Sequence, residues 1–196
     1  MRTDEELVVE LQGGRTDALA LLVRRWEQPL YRFVFRMLPR QEDAREICQE
    51  TFLRVLDKAD HFREGARFTT WMYQIALNLC RDHRRRRRRW GALVSEDAPP
   101  HPEAETPVER AVGDDDPAET VLLDQRRRLV RRALERIPTD QREVVVLKEF
   151  EGLKFREIAD LLGCPESTVK SRMYYGLTGL KKALVAEGFS GGSDGL

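Results

Sequence analysis

This chain has little with which to hold a metal, staple itself covalently or cross a membrane. Its three cysteines, Cys48, Cys80 and Cys164, are scattered through 196 residues. An odd number at such distances argues against a disulfide framework and against zinc-ligand spacing, and it fits a reducing compartment. The three histidines, His61, His83 and His101, are equally dispersed. Histidines so far apart in the chain do not by themselves make a metal-ligand set, so a nuclease or other metal-dependent enzyme is a poor reading. No apolar run approaches bilayer length, and Asp4, Glu5 and Glu6 precede any apolar stretch, unlike a secretory signal. Strand signals are nearly missing. Val144, Val145, Val146 and Leu147 are mostly β-branched, yet they share a helical period with Phe150. No internal repeat of roughly 20–50 residues is visible. The expectation is a cytoplasmic, all-α chain without metal, cofactor, enzymatic centre or membrane insertion.

What the chain does have is charge, and its zero net charge hides a segregation. Residues 1–94 carry 19 basic and 14 acidic side chains, residues 95–119 carry 1 and 9, and residues 120–196 carry 14 and 11. Two mildly basic blocks flank an acidic one, which points to a polyanionic partner more than the total does. Residues 95–119 also hold five of the nine prolines and almost no large apolar residue. Such a stretch buries too little surface to offset its ordering entropy. It is read as a flexible acidic linker between two small helical domains, 1–94 and 120–187. The glycine- and serine-rich end, 188–196, is read as a disordered tail.

The first block patterns as three or four helices. Leu19, Leu22, Val23, Trp26, Leu30, Phe33, Val34 and Met37 make an amphipathic stripe, with Pro29 expected to kink or divide it. Residues 41–60 follow, with Ala44, Ile47, Cys48, Thr51, Phe52, Val55 and Leu56 inward. Asp43, Glu46, Gln49, Glu50, Leu53 and Arg54 face outward, an acidic stripe with an exposed leucine that suits a partner surface as well as a solvated face. After a loop near Gly65, Thr69 or Thr70 is placed to cap a helix carrying Trp71, Met72, Ile75, Ala76 and Leu79 inward. Tyr73, Gln74, Asn78, Arg81 and Asp82 are expected to point outward. That helix ends in six arginines, 84–89. Cations suit a helix C-terminus, but six together point to phosphate contact. Phe62, Phe68, Trp71 and Tyr73 are of the kind that stacks on single strands, though core packing explains Trp71 better.

The second block centres on residues 154–184. Ile158, Ala159, Leu161 and Leu162 form a short apolar stripe, Gly163 ends it, and Pro165 stands where a new helix begins. Val169, Met173, Gly176, Leu177, Leu180 and Leu184 fall on one face of that helix. Lys170, Ser171, Tyr174, Tyr175 and Thr178 fall mainly on the other. Two helices across a tight glycine turn, the second with a small, polar and basic outer face, is the pattern of a DNA-binding helix-turn-helix.

Three stretches taken together, DAREICQETFLRV (43–55), F-x-x-W-M-Y-Q-I-A-L-N (68–78) and REVVVLKEFEGLKFREIADLLGCPESTVKSR (142–172), resemble the extracytoplasmic-function (ECF) sigma factors of the sigma-70 family. The resemblance covers about residues 7–90 and 120–184. It implies binding to core RNA polymerase, to the β′ clamp helices and the β flap, and to promoter DNA, with room for an anti-sigma protein. Asp43, Glu46, Gln49, Glu50 and Leu53 stand at the expected polymerase contact. Phe62, Arg63, Arg67, Asn78, Arg81, Arg84 and Arg85 stand where the family melts DNA and captures a flipped base of the non-template strand. Lys170, Ser171, Arg172, Tyr174 and Tyr175 occupy recognition-helix positions, with Ser167 and Thr168 at its start near phosphates. The linker of this family threads toward the active cleft. Tyr175 and Leu177 depart from the arginines often found there, which implies fewer phosphate contacts. A helix-turn-helix regulator that never joins polymerase is the alternative, and it leaves the first two stretches unexplained.

Overall fold

The computed structural model describes residues 2–63, 65–91 and 117–189. Among the described residues the architecture is all helical. An N-terminal unit holds α1 (Asp4–Gln12), α2 (Asp17–Met37), α3 (Gln41–Asp57) and α4 (Phe68–Gly91). A C-terminal unit holds α5 (Pro117–Arg136), α6 (Thr139–Val145), α7 (Phe155–Leu162) and α8 (Glu166–Ala186). The expected linker lies outside the described residues except for 117–119. There α5 has already begun, so helix starts three residues earlier than composition predicts. Of the expected tail, only Gly188 and Phe189 are described, and both amides return to α8, to the carbonyls of Val185 and Leu184.

In the N-terminal unit α1 is a brace. It begins on a reciprocal cap: Thr3 Oγ1 accepts from the Glu6 N–H, and Glu6 Oε2 accepts from the Thr3 N–H. Asp4 accepts from Arg25 Nη1 at 2.8 Å and from Trp26 Nε1 at 2.9 Å. Gln12 Nε2 donates to the Ala59 and Phe62 carbonyls. Glu5 Oε1 accepts the Phe68 N–H at 3.0 Å and so caps α4. The threonines expected to form that cap, Thr69 and Thr70, lie inside the helix instead. Helix α2 runs unbroken through Pro29. Leu22, Leu30, Phe33 and Val34 are buried on both sides of the proline, and their packing holds the helix where one backbone bond is lost. Helix α3 stops at Asp57, and a 3₁₀ turn, Ala59–His61, continues the chain.

The inner face of α4 is Phe68, Met72, Tyr73, Ala76, Leu77 and Cys80. Tyr73 corrects the expected orientation: it is buried, its ring 4.7 Å from Phe33 and edge-on to Trp26. Burial pushes the Cys48 and Cys80 thiols up to about 12, leaving both as small apolar core residues.

In the C-terminal unit the β-branched run is helical, as its period requires, and Val144, Val145, Val146 and Leu147 are fully buried. A π-type turn, Val146–Phe150, follows α6. Helix α7 ends at Gly163 with φ 64°, the left-handed conformation expected of a glycine stop. Pro165 precedes α8 by one residue. Val169, Met173 and Gly176 of α8 are buried against the rest of the unit. Gly176 permits the crossing over α6, because a Cβ there would lie 2.7 Å from Val145 Cγ2. Buried residues of both units join in one apolar cluster.

Candidate functional site

On α3, Ala44, Ile47, Cys48, Thr51, Phe52 and Val55 are buried, which turns the opposite side to solvent. Leu53 is 59% exposed there. Glu46 and Gln49 are exposed beside it, and Glu50 holds Arg54 at 2.7 Å. Four of the five residues expected at a polymerase contact therefore share one open face. Asp43 does not join them. Its carboxylate turns to α4, 3.1 Å from His83 Nε2 and 3.1 Å from Arg87 Nη1. Leu56, expected inward, is 37% exposed and extends the apolar part of the surface.

The loop before α4 and the outer side of α4 hold the second candidate set. Phe62 is a correction. It is buried, 5.1 Å from the Trp71 ring, so it supports the loop from beneath and offers no face for stacking. Arg63 and Asn78 are exposed. A cleft of about 690 Å³ opens beside the loop between Glu5, Val9 and Gln12 of α1 and Phe62, Ala66 and Arg67. Helix α4 continues through the arginine run, so these cations are spread around a cylinder. Arg87 goes to Asp43, Arg85 to Asp82 on the same helix, and Arg84 to the other unit. A second cleft, of about 800 Å³, lies where Arg81, Arg84, Arg85, Arg88 and Arg89 approach Thr139, Asp140 and Arg172.

On α8 the faces separate cleanly. Ser167, Lys170, Ser171, Tyr174 and Tyr175 are exposed, with Thr168 half-buried. The two tyrosines are 68% and 60% exposed and meet edge to face at 5.5 Å. Ser171 Oγ donates to the Thr168 carbonyl, and Lys170 pairs with Glu166 at 2.7 Å. Arg172 is turned back into its own unit, Nε 3.2 Å from Asp140 and Nη1 4.0 Å from the Cys164 sulfur. It positions the turn between α7 and α8. Leu177, expected inward, is 43% exposed, which widens the outer face with an apolar group.

The residues that sequence reasoning missed are those joining the two units. Glu143, 3% exposed, accepts from Arg81 at 3.1 and 2.6 Å and from Arg84 at 2.9 Å. Glu151 accepts from the Tyr73 hydroxyl and lies 3.7 Å from Arg36. Glu157 holds Arg67 at 2.7 Å. Arg142 is buried and donates to the Glu135 and Ile137 carbonyls near the end of α5 and to the Met37 carbonyl that ends α2. Two helix C-termini thus surround one guanidinium, the end of the dipole that favours a cation. Burial and nearby Arg84 still hold its pKa below the ordinary value. Arg36 over Phe150 and Arg131 over Phe35 add two cation–π contacts across the same junction. A hexad of arginines signals phosphate in sequence, but nothing in it shows that two neighbouring cations find a glutamate about 60 residues on.

Residues 22–90 match Sigma-70 region 2, and residues 127–178 match Sigma-70, region 4. Over 185 residues the chain is 30% identical to the RNA polymerase sigma-H factor of Pseudomonas aeruginosa, spanning 92% of this chain and 93% of that one. The chain belongs to the extracytoplasmic-function group of the sigma-70 family. It is also 32% identical over 181 residues to the ECF RNA polymerase sigma-E factor of Escherichia coli strain K12, spanning 88% and 89% of the two chains. Sigma factor RpoE from Bartonella quintana, solved with the anti-sigma factor NepR, shares the fold with a TM-score of 0.69 at 22% identity, over 87% of this chain and 98% of that one. CnrH, solved with the cytosolic domain of CnrY, shares it with a TM-score of 0.64 at 23% identity, over 93% and 97%. This sigma factor is a promoter-recognition subunit that directs transcription initiation, and it is not an enzyme. The match over 22–90 removes the reading of a regulator that never joins polymerase. Among the described residues no helix is long and apolar enough to cross a membrane.

Proposed function

We propose that three separate faces divide the work of this sigma factor. The open side of α3, with Leu53 and Leu56 among Glu46, Gln49 and Glu50, docks on the β′ clamp helices of core RNA polymerase. The apolar centre supplies affinity, and the rim charges set the association rate. Arg63, Arg67 and Asn78, with Arg81, Arg84 and Arg85 of α4, meet the melted non-template strand. The cleft beside the loop takes the extruded base, with Phe62 as its floor and Gln12 on its wall. The outer side of α8 reads duplex DNA through Lys170, Ser171, Tyr174 and Tyr175, with Ser167 and Thr168 at the phosphates. Arg172 acts by fixing the turn. An anti-sigma protein that covers α3 would compete directly with polymerase.

The observation that carries this reading is the exposure of two tyrosines and a serine on α8, directly opposite buried Val169, Met173 and Gly176. The test is run-off transcription with core polymerase, combined with permanganate footprinting of open thymines. Arg63→Ala with Asn78→Ala is expected to retain the closed complex and lose strand opening. Footprints equal to wild type would remove the melting role from this loop.

A further inference from the structure

The outer face of α8 offers rings rather than free cations. Lys170 is paired with Glu166 at 2.7 Å, and Arg172 is turned back to Asp140 at 3.2 Å. Guanine is read by a guanidinium or ammonium set against its O6 and N7 acceptors, and both cations of this stretch are engaged elsewhere. The large groups left open are Tyr174, Tyr175 and Leu177, at 68%, 60% and 43% exposure. The two tyrosine rings meet edge to face, 5.5 Å apart with 75° between their planes. Each ring limits the rotation of the other, so little ordering is left to lose on binding. Among the four bases, only thymine presents an apolar group in the major groove, its C5-methyl.

We propose that Tyr174 and Tyr175 specify thymine in the upstream promoter element, their ring pair covering a C5-methyl group in the major groove. This rests on the reading of α8 as the helix that meets duplex DNA, and it names the base chemistry that the helix selects. A methyl covered by a ring leaves water, and that transfer is the energetic source of the choice. A cytosine in the same place would bring its amino group against the rings, at the cost of that group's hydrogen bond to water. Ser171, one turn earlier on the same face, is short and polar and serves the edge of a neighbouring base.

The test uses the full chain with core polymerase. Promoter duplexes are selected by the wild-type holoenzyme from a library randomised across the upstream element. Each thymine of a selected duplex is then replaced by deoxyuridine, which lacks only the methyl, and binding is read by fluorescence anisotropy of the labelled duplex. The wild type is expected to bind on the order of threefold to fivefold more weakly for each contacted methyl removed, the effect of burying one methyl. Tyr174→Phe with Tyr175→Phe should keep that difference. Tyr174→Ala with Tyr175→Ala should bind the thymine duplex more weakly and lose the difference, with circular dichroism unchanged in both variants. Selected elements without thymine, or wild-type affinity unchanged by uracil at every position, overturn the methyl reading; a weakened alanine variant then still leaves α8 as the duplex reader. A thymine–uracil difference that survives in the alanine variant takes the contact away from these tyrosines. Its loss in the phenylalanine variant shows that the hydroxyls carry the choice, and the ring–methyl contact fails. An alanine variant that binds the thymine duplex as tightly as wild type overturns the reading of the face itself.

Discussion

Gly163 and Gly176 sit thirteen residues apart in the same helix-turn-helix, and each is needed for a different reason. At Gly163 a Cβ meets nothing within 4 Å, but φ is 64°. Gly163→Ala is therefore expected to cost about 1–2 kcal/mol through left-handed strain alone. At Gly176 the backbone is ordinary helix and the space is missing, with Val145 Cγ2 at 2.7 Å. Crowding of about 1–3 kcal/mol there exceeds the roughly 1 kcal/mol that alanine gains over glycine inside a helix. Urea unfolding should show both variants destabilised. Only Gly176→Ala should also shift α8 against α6, read as chemical-shift changes at Gln141 and Val145. Cys48 and Cys80, both buried with thiols pushed up to about 12, should resist a thiol reagent in the native protein and react after unfolding. Rapid native labelling at either position would contradict the packing described for α3 and α4.

At the scale of the element, α3 and α8 each carry one buried side and one working side, and the two predictions differ in kind. Gln49→Ala with Glu50→Lys changes the rim of the α3 face. Retention on immobilised core polymerase should fall, most clearly at low salt where the rim charges are least screened, while circular dichroism stays unchanged. Full retention would argue against this face as the docking surface. Ser171→Ala with Tyr175→Ala removes side chains exposed on the outer face of α8. Promoter affinity should drop by on the order of 1–3 kcal/mol per lost base contact, and the tolerated upstream sequences should change. An equal loss on every duplex would instead mark these residues as backbone contacts. Helix α4 is more constrained than either. Its inner side is filled by Phe68, Met72, Tyr73 and Cys80, and its basic side is shared between Asp43, Asp82 and Glu143.

For the whole molecule, the junction between the units makes stability depend on pH. Burial raises the Glu151 pKa, outweighing the Tyr73 hydrogen bond and the Arg36 and Arg32 charges that lower it. A carboxyl raised in the folded chain opposes folding when ionised, so its cost is relieved as pH falls from neutral toward 4.5, the ordinary glutamate value. Glu157 has the opposite sign. The Lys154 amide, then Arg67, lowers its pKa, so its stabilisation is full above 4.5 and is lost only below it. Thermal unfolding followed down to that value should show the wild-type chain gaining stability relative to Glu151→Gln. Parallel profiles for the two proteins would mean that Glu151 is not held in a desolvated site.

The sequence by itself determined the helices, the turn at Gly163, the two faces of α8, the acidic face of α3 around Leu53 and the membership of the sigma family. Periodicity, caps and turn chemistry are local, so they can be read within a few residues. Tertiary structure decided where long polar side chains and the aromatic residues near the loop end up. Phe62 and Tyr73 look like stacking groups and are core, because α1, α2 and α4 converge on them. Asp43 belongs by period to the outer face of α3, yet His83 and Arg87 from α4 reach it. Arg172 lies at a recognition-helix position and pairs with Asp140. The bonds from Arg81 and Arg84 to Glu143 span 62 and 59 residues, and that from Arg67 to Glu157 spans 90. Charge pairing at such separations has no period to betray it; it follows from the geometry in which two packed units meet.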